Sequence, residues 1–127
     1  MNLEKVIFGF FIVLALTLNF GFFLGDIDNP DHHHAIELGA ALAVSLIATI
    51  IKVGDRSQMG AILLATSLVA DLQLLIAALV WAYAANVSDA GVTSLVLASI
   101  VSLSGGALLA NLVSVTLLVA ETITIRR

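Results

Sequence analysis

Four apolar stretches of the sequence each contain one polar side chain suited to hydrogen bonding or proton exchange. Each of these side chains lies 14 or 15 positions from a basic residue at one end of its stretch, in the pairs Lys5–Asn19, Glu37–Lys52, Arg56–Asp71 and Asn111–Arg126. In an α-helix this separation is about 21–23 Å. Polar side chains are costly inside a bilayer and commonly have a functional role. We expect Asn19, Glu37, Asp71 and Asn111 to form one intramembrane polar layer.

Two carboxyl groups in such a layer would affect each other's protonation. Two neighbouring carboxylates cannot both ionise easily, because each disfavours the charged form of the other. Glu37 and Asp71 could therefore share one proton, with Asn19 and Asn111 donating amide hydrogens. The alternative is a purely structural set of hydrogen bonds that holds the helices together, at about 0.6 kcal/mol per bond. The sequence leaves both interpretations open.

Gln73 lies two positions after Asp71, which is about 200° around a helix. If Asp71 points into a bundle, we expect Gln73 to point outwards. Since a glutamine facing lipid is unfavourable, a second protein chain is the favoured neighbour. The alternative is a bundle interior wide enough to accept both side chains.

The fourth apolar stretch has a small residue at every fourth position. Such spacing is typical of helices whose backbones approach closely. The pattern predicts a helix-packing or partner interface, within one chain or between chains. Its members are Ser94, Ala98, Ser102, Gly106, Ala110 and Ser114.

A histidine cluster at positions 32–34 raises the question of a metal site. His33 and Glu37 are spaced i and i+4, which places them on one helical face, and Asp31 is adjacent. These three residues are weak metal candidates, because a second ligand pair on another helix is missing. The alternative is a solvated helix start, and we predict no bound metal.

The composition identifies the class of protein that must position these groups. Apolar residues make up 61% of the 127 residues and charged residues 11%, with a mean hydropathy of +1.14. Soluble domains carry about 25% charged residues, so we predict an all-α integral membrane protein. The chain should form one domain, 1–127, with four transmembrane helices in an antiparallel up-down bundle. The predicted helices span approximately 4–24, 30–52, 58–85 and 91–124.

The charges predict the orientation of these helices. All five basic residues flank one side of a four-span arrangement, and the opposite side carries acidic residues only. The positive-inside rule therefore places both termini in the cytoplasm. Five basic residues and a net charge of −4 also argue against nucleic-acid binding.

Three segments resemble a family of small bacterial inner-membrane proteins of unknown function. They read LALTLNFG at 14–21, LIATIIKVGDR at 46–56 and LLATSLVADLQ at 63–73. The resemblance implies a bacterial origin and a location in the inner membrane, but it brings no assigned activity.

No catalytic motif is evident in the sequence, so we predict neither an enzyme nor a cofactor. The favoured function is a small membrane subunit, either an accessory or assembly subunit of an ion channel or transporter complex or a homo-oligomer. Its partners would be the lipid bilayer and further membrane-protein chains. The alternative is an autonomous proton- or cation-conducting oligomer that uses Glu37 and Asp71.

Overall fold

A computed structural model describes residues 3–24 and 34–126 of the chain. These residues form four α-helices: α1 (Leu3–Phe23), α2 (Ala35–Val53), α3 (Gln58–Asn86) and α4 (Ser94–Arg126). All four are long and apolar enough to cross a membrane. The predicted all-helical, four-span fold is confirmed. The predicted helix start at Pro30 lies outside the described residues, and within them α2 begins at Ala35.

Each helix packs mainly against two neighbours, so that the four helices form a closed bundle. The helix α1 packs against α2 and α4, and α3 also packs against α2 and α4. One apolar cluster fills the half of the bundle that contains Phe8, Ile12, Ala48 and Leu63. A larger cluster around Phe22, Leu38, Leu74 and Ile100 fills the other half.

The connection between α2 and α3 is an ordered polar turn. Ser57 caps α3, because its hydroxyl accepts a hydrogen bond from the Gly60 N–H at 2.9 Å and donates one to Asp55 at 2.8 Å. A β-carbon on Gly60 would clash with the Asp55 carboxyl group, which would have to move. Gly54 is the C-cap of α2.

Charged side chains gather at the end of the bundle that holds this turn, which we call the basic end. Lys5 on α1 pairs with Glu121 on α4 at 3.0 Å, and Lys52 pairs with Asp55 at 3.2 Å. These residues and Arg56 line a cavity of about 410 Å³. Lys52 is nearly buried, and its ammonium lies 4.3 Å from the centroid of the Phe8 ring. Three of the five basic residues therefore meet at one end, as the four-span arrangement requires.

Candidate functional site

The most complete polar site inside the bundle joins α3 to α2. Asp71 accepts a hydrogen bond from Ser45 Oγ at 2.6 Å, and its second oxygen lies 2.5 Å from Thr49 Oγ1. Ser45 is fully buried, and Asp71 and Thr49 are each 7% exposed. We call these three residues the Asp71 cluster. It places a carboxyl group between two hydroxyl groups in the interior of membrane-spanning helices.

Local sequence explains why the two hydroxyls meet one carboxyl. Ser45 and Thr49 are spaced i and i+4, so they share a face of α2. The buried positions Ala41 and Ala48 lie on that face as well. Our sequence analysis missed Ser45 and Thr49, because hydroxyl residues are common in apolar helices and often bond only to their own backbone. The available signal was their i, i+4 spacing on the buried face of the helix next to Asp71.

Glu37 does not belong to the Asp71 cluster, so the expectation of a proton shared by Glu37 and Asp71 is wrong for a single chain. Glu37 lies eight residues before Ser45 on α2, which is about 12 Å along the helix. Its carboxylate faces α1, where a β-carbon on Gly21 would come within 2.6 Å of Glu37 Oε2.

Glu37 and Asp71 do not lie at the same depth in the bundle, because the turn between α2 and α3 is not helical. Asp71 lies 13 residues into α3, about 20 Å from its start, whereas Ser45 lies about 12 Å from the end of α2. Since Asp71 and Ser45 are in contact, α3 must begin about 8 Å beyond the end of α2. A count from Arg56 therefore overestimates the height of Asp71 relative to Glu37.

Asn19 and Asn111 occupy the opposite side of the bundle, where α1 and α3 meet α4. Asn19 is fully buried and accepts a hydrogen bond from Ser104 Oγ at 2.6 Å. Asn111 is also fully buried, and neither atom of its amide group has a hydrogen-bond partner among the described residues. The four predicted polar residues are therefore all in the bundle, but they do not form one layer.

Gln73 contacts α4 of its own chain, so the expectation that it faces outwards is wrong. A β-carbon on Gly106 would come within 2.6 Å of the Gln73 amide nitrogen. The physical reason is that α3 lies between two neighbours. One side of α3 carries Asp71 against α2, and another carries Gln73 against α4, so both side chains are inside the bundle. The alternative of an interior that accepts both side chains fits this arrangement.

The small residues of α4 do not form one continuous contact. Ser94 and Ser102 are exposed, Ala98, Gly106 and Ala110 are half-buried, and Ser114 is buried. Four residues turn a helix through about 400°, so each step along the pattern rotates by about 40°. Two members contact α3, since Gly106 lies against Gln73 and Ser114 contacts Thr66 at 2.5 Å. An interface between chains stays a prediction.

The weak metal candidates receive no support from the described residues. Asp31 and His33 lie outside them, and Glu37 faces Gly21. Residues 3–24 and 34–126 contain no group of three His, Cys, Asp or Glu side chains that could hold a metal ion.

An apolar groove runs along the outer surface between α2 and α3 and reaches the Asp71 cluster. Its volume is about 350 Å³, and its wall includes Asp71 and Thr49 among leucine and isoleucine side chains such as Leu46 and Leu72. The exposed wall of the groove is almost entirely apolar, so the carboxyl group lies just beneath a surface that would meet lipid or another protein.

Comparison with known proteins adds a family but no activity. No curated protein and no solved structure gives a significant match to this chain. A family model described as a family of unknown function (DUF6394) matches residues 32–122. This match includes α2, α3 and most of α4, and with them the Asp71 cluster and Asn111. The chain therefore belongs to this family of unknown function, DUF6394.

Proposed function

We propose that this chain is a small membrane subunit whose Asp71 binds a proton within the bilayer. It would act in a homo-oligomer or beside a larger channel or transporter protein. The Asp71 cluster supports this function, because an ionisable group inside a membrane-spanning segment is costly and commonly has a functional role.

The observation that carries the proposal is the number of hydrogens around Thr49. Its hydroxyl oxygen carries one hydrogen but lies 2.9 Å from the Ser45 carbonyl oxygen and 2.5 Å from Asp71 Oδ2. An ionised carboxylate supplies no hydrogen, so one of the two contacts would lack one. A protonated Asp71 donates its hydrogen to Thr49, and Thr49 then donates to the Ser45 carbonyl. Ser45 Oγ donates to the other Asp71 oxygen, which satisfies every group.

Other threonines support this assignment of the Thr49 hydrogen. Thr17, Thr116, Thr122 and Thr124 each donate to a carbonyl three or four residues earlier at 2.7–2.9 Å. Thr66 does the same at 3.0 Å and also contacts Ser114 Oγ. There, the Ser114 hydroxyl can supply the second hydrogen. At Thr49 the second hydrogen has to come from Asp71.

The groove supports the role of a subunit rather than an isolated pore. Asp71 lies just beneath the wall of a groove on the outer face of α2 and α3, so a neighbouring chain seated there would lie next to the carboxyl group. We place this assembly in the bacterial inner membrane, with both termini in the cytoplasm. The gathering of Lys5, Lys52 and Arg56 at the basic end supports that orientation.

A lipid-soluble carbodiimide tests the proposal directly, because it reacts with the protonated form of a carboxyl group in an apolar setting. We expect it to label Asp71 in the protein in bilayers, and the label should be absent in Asp71→Asn. Infrared spectra should show the C=O stretch of a protonated carboxyl that disappears in Asp71→Asn.

Glu37→Gln is the matched control. It removes the carboxyl group of α2 that faces α1 and leaves the Asp71 cluster intact. It should keep both the label and the infrared band. A carboxylate spectrum for Asp71 across the neutral range, together with no carbodiimide label, would contradict proton binding.

A further inference from the structure

The interior between α1, α3 and α4 contains polar atoms that no described residue satisfies. They are Nδ2 of Asn19, Oγ of Ser67, Oε1 of Gln73, and both Nδ2 and Oδ1 of Asn111. The side chains of Asn19, Ser67 and Asn111 are fully buried. A buried polar group without a hydrogen-bond partner costs about 1–3 kcal/mol, and lipid cannot supply a partner. Several such atoms in one region call for a ligand that hydrogen-bonds.

Helix register places these groups along one line. The contact between Thr66 and Ser114 fixes α3 against α4. Ser67 is one residue from Thr66, and Asn111 is three residues from Ser114, so the two levels differ by about 5 Å or less. Ser104, the partner of Asn19, lies seven residues before Asn111, about 10 Å along the same face of α4.

The neighbouring side chains at this level are small. Ala107 lies between Ser104 and Asn111 on the buried face of α4 and is fully buried. Ala15 lies one turn from Asn19 on the buried face of α1, and Ala70 lies close to Ser67 on α3; both are fully buried. A buried water needs room and two to four polar partners. The amide and hydroxyl groups supply the partners, and the alanines leave more room than larger side chains would.

We propose that Asn111, Ser67 and Asn19 form an internal water-binding site between α1, α3 and α4. The ligand is water, because every unpartnered atom is an uncharged donor or acceptor and no charged side chain is part of the site. Asn111 is the centre of the site, since its amide contributes two donor hydrogens and an acceptor oxygen. Asp71 lies one turn from Ser67 on α3 but bonds to Ser45 of α2, so the water site is inferred from different atoms than proton binding at Asp71.

Solid-state NMR of the intact protein in bilayers tests the site. With the asparagine side chains labelled, we expect magnetisation transfer from water to the Asn111 amide hydrogens. The amide of Asn86, which donates to Ala82 at the exposed end of α3, gives the reference signal for surface water. Absence of transfer to Asn111, with clear transfer to Asn86, would overturn the proposal.

Stability measurements give a second readout with a defined sign. Leucine matches asparagine closely in shape, so Asn111→Leu removes the polar groups with little change in volume. If water satisfies Asn111, the unfolding equilibrium constant should rise about tenfold in Asn111→Leu, since the hydrogen bonds are lost. In a dry interior the same substitution should leave that constant unchanged or lower it, which would contradict the proposal.

A double substitution distinguishes shared water from a direct bond between side chains. Ser67→Ala and Asn111→Leu should show non-additive effects if they share partners, whether the contact is direct or through water. Coupling together with water transfer to Asn111 supports the site. Coupling without transfer shows a direct Asn111–Ser67 bond and overturns it. Because the NMR experiment uses the natural protein, poor folding of a variant does not prevent the test.

Discussion

The two sides of this bundle differ in how their buried polar groups are hydrogen-bonded. On the α2 side, Asp71 meets two hydroxyl groups, and a single added proton satisfies the whole cluster. On the α4 side, Asn19 and Asn111 retain amide atoms that no described residue pairs. A hydroxyl group both donates and accepts, so it adapts to a carboxyl group in either form. An amide has more donors and acceptors to satisfy, and the surrounding alanines supply none.

This difference indicates which region depends on an external ligand. The Asp71 cluster is complete once a proton is present, so a change in its proton occupancy changes its hydrogen bonds. The amide groups near α4 have no titratable partner, so their hydrogen bonds should be insensitive to pH.

The largest effect is expected from substitutions of Asp71. Asparagine imitates a protonated aspartate, because its amide can donate to Thr49 and its oxygen can accept from Ser45. Asp71→Asn should therefore change the free energy of unfolding by less than about 0.5 kcal/mol, whereas Asp71→Leu leaves both hydroxyls facing an apolar group and should cost about 1–3 kcal/mol.

Unfolding in detergent micelles measures this pair of variants, and proton flux into liposomes or native membranes measures the consequence for function. Both variants should lose any proton flux that the assembly supports. If Asp71→Asn destabilises as strongly as Asp71→Leu, then Asp71 is ionised in the folded protein and the comparison between the two sides no longer holds.

A smaller effect should come from the contact between Gln73 and Gly106, which lies on the α4 side. A β-carbon at Gly106 would come within 2.6 Å of the Gln73 amide nitrogen, whereas one at Gly39 would meet nothing within 4 Å. Gly39→Ala should stabilise the helix by up to about 1 kcal/mol. Gly106→Ala should lose this gain, because the Gln73 side chain has to move.

The Gln73→Ala background separates this contact from helix propensity. In that background, Gly106→Ala should be as favourable as Gly39→Ala is in the natural protein. Thermal unfolding of the natural protein, Gly106→Ala, Gln73→Ala and the double variant measures the coupling between the two residues. Equal effects of Gly106→Ala in both backgrounds would place Gln73 away from α4 and support an outward-facing glutamine.

Much of the fold was predictable from the sequence, because apolar length and charge distribution depend on the chain alone. The four spans and the gathering of Lys5, Lys52 and Arg56 at one end follow from these properties. The arrangement of the polar residues was harder to predict. It depends on where α3 begins relative to α2, and on which neighbour each face of α3 meets. Neither can be read from counting along single helices, which is why Glu37 and Gln73 were misplaced.

The smallest effect is expected at Asp55, a carboxylate at the basic end that provides a contrast to Asp71. Hydrogen bonds from the Ser57 backbone and hydroxyl group, together with Lys52, lower the pKa of Asp55 from 3.8 to about 2. These groups favour the charged form, so their contribution to stability is fully present above about pH 4 and is lost as the pH falls towards 2. Asp55→Asn should therefore reduce stability at neutral pH, by about 1 kcal/mol or less because the carboxylate is partly exposed.

The same substitution should also remove this part of the acid destabilisation, whereas Asp71→Asn should leave it unchanged. Thermal unfolding between pH 2 and pH 7 measures both variants. If the stability of Asp55→Asn changes with pH as that of the natural protein does, the acid destabilisation comes from groups other than Asp55. Asp55 would then no longer serve as the ionised carboxylate with which Asp71 is compared.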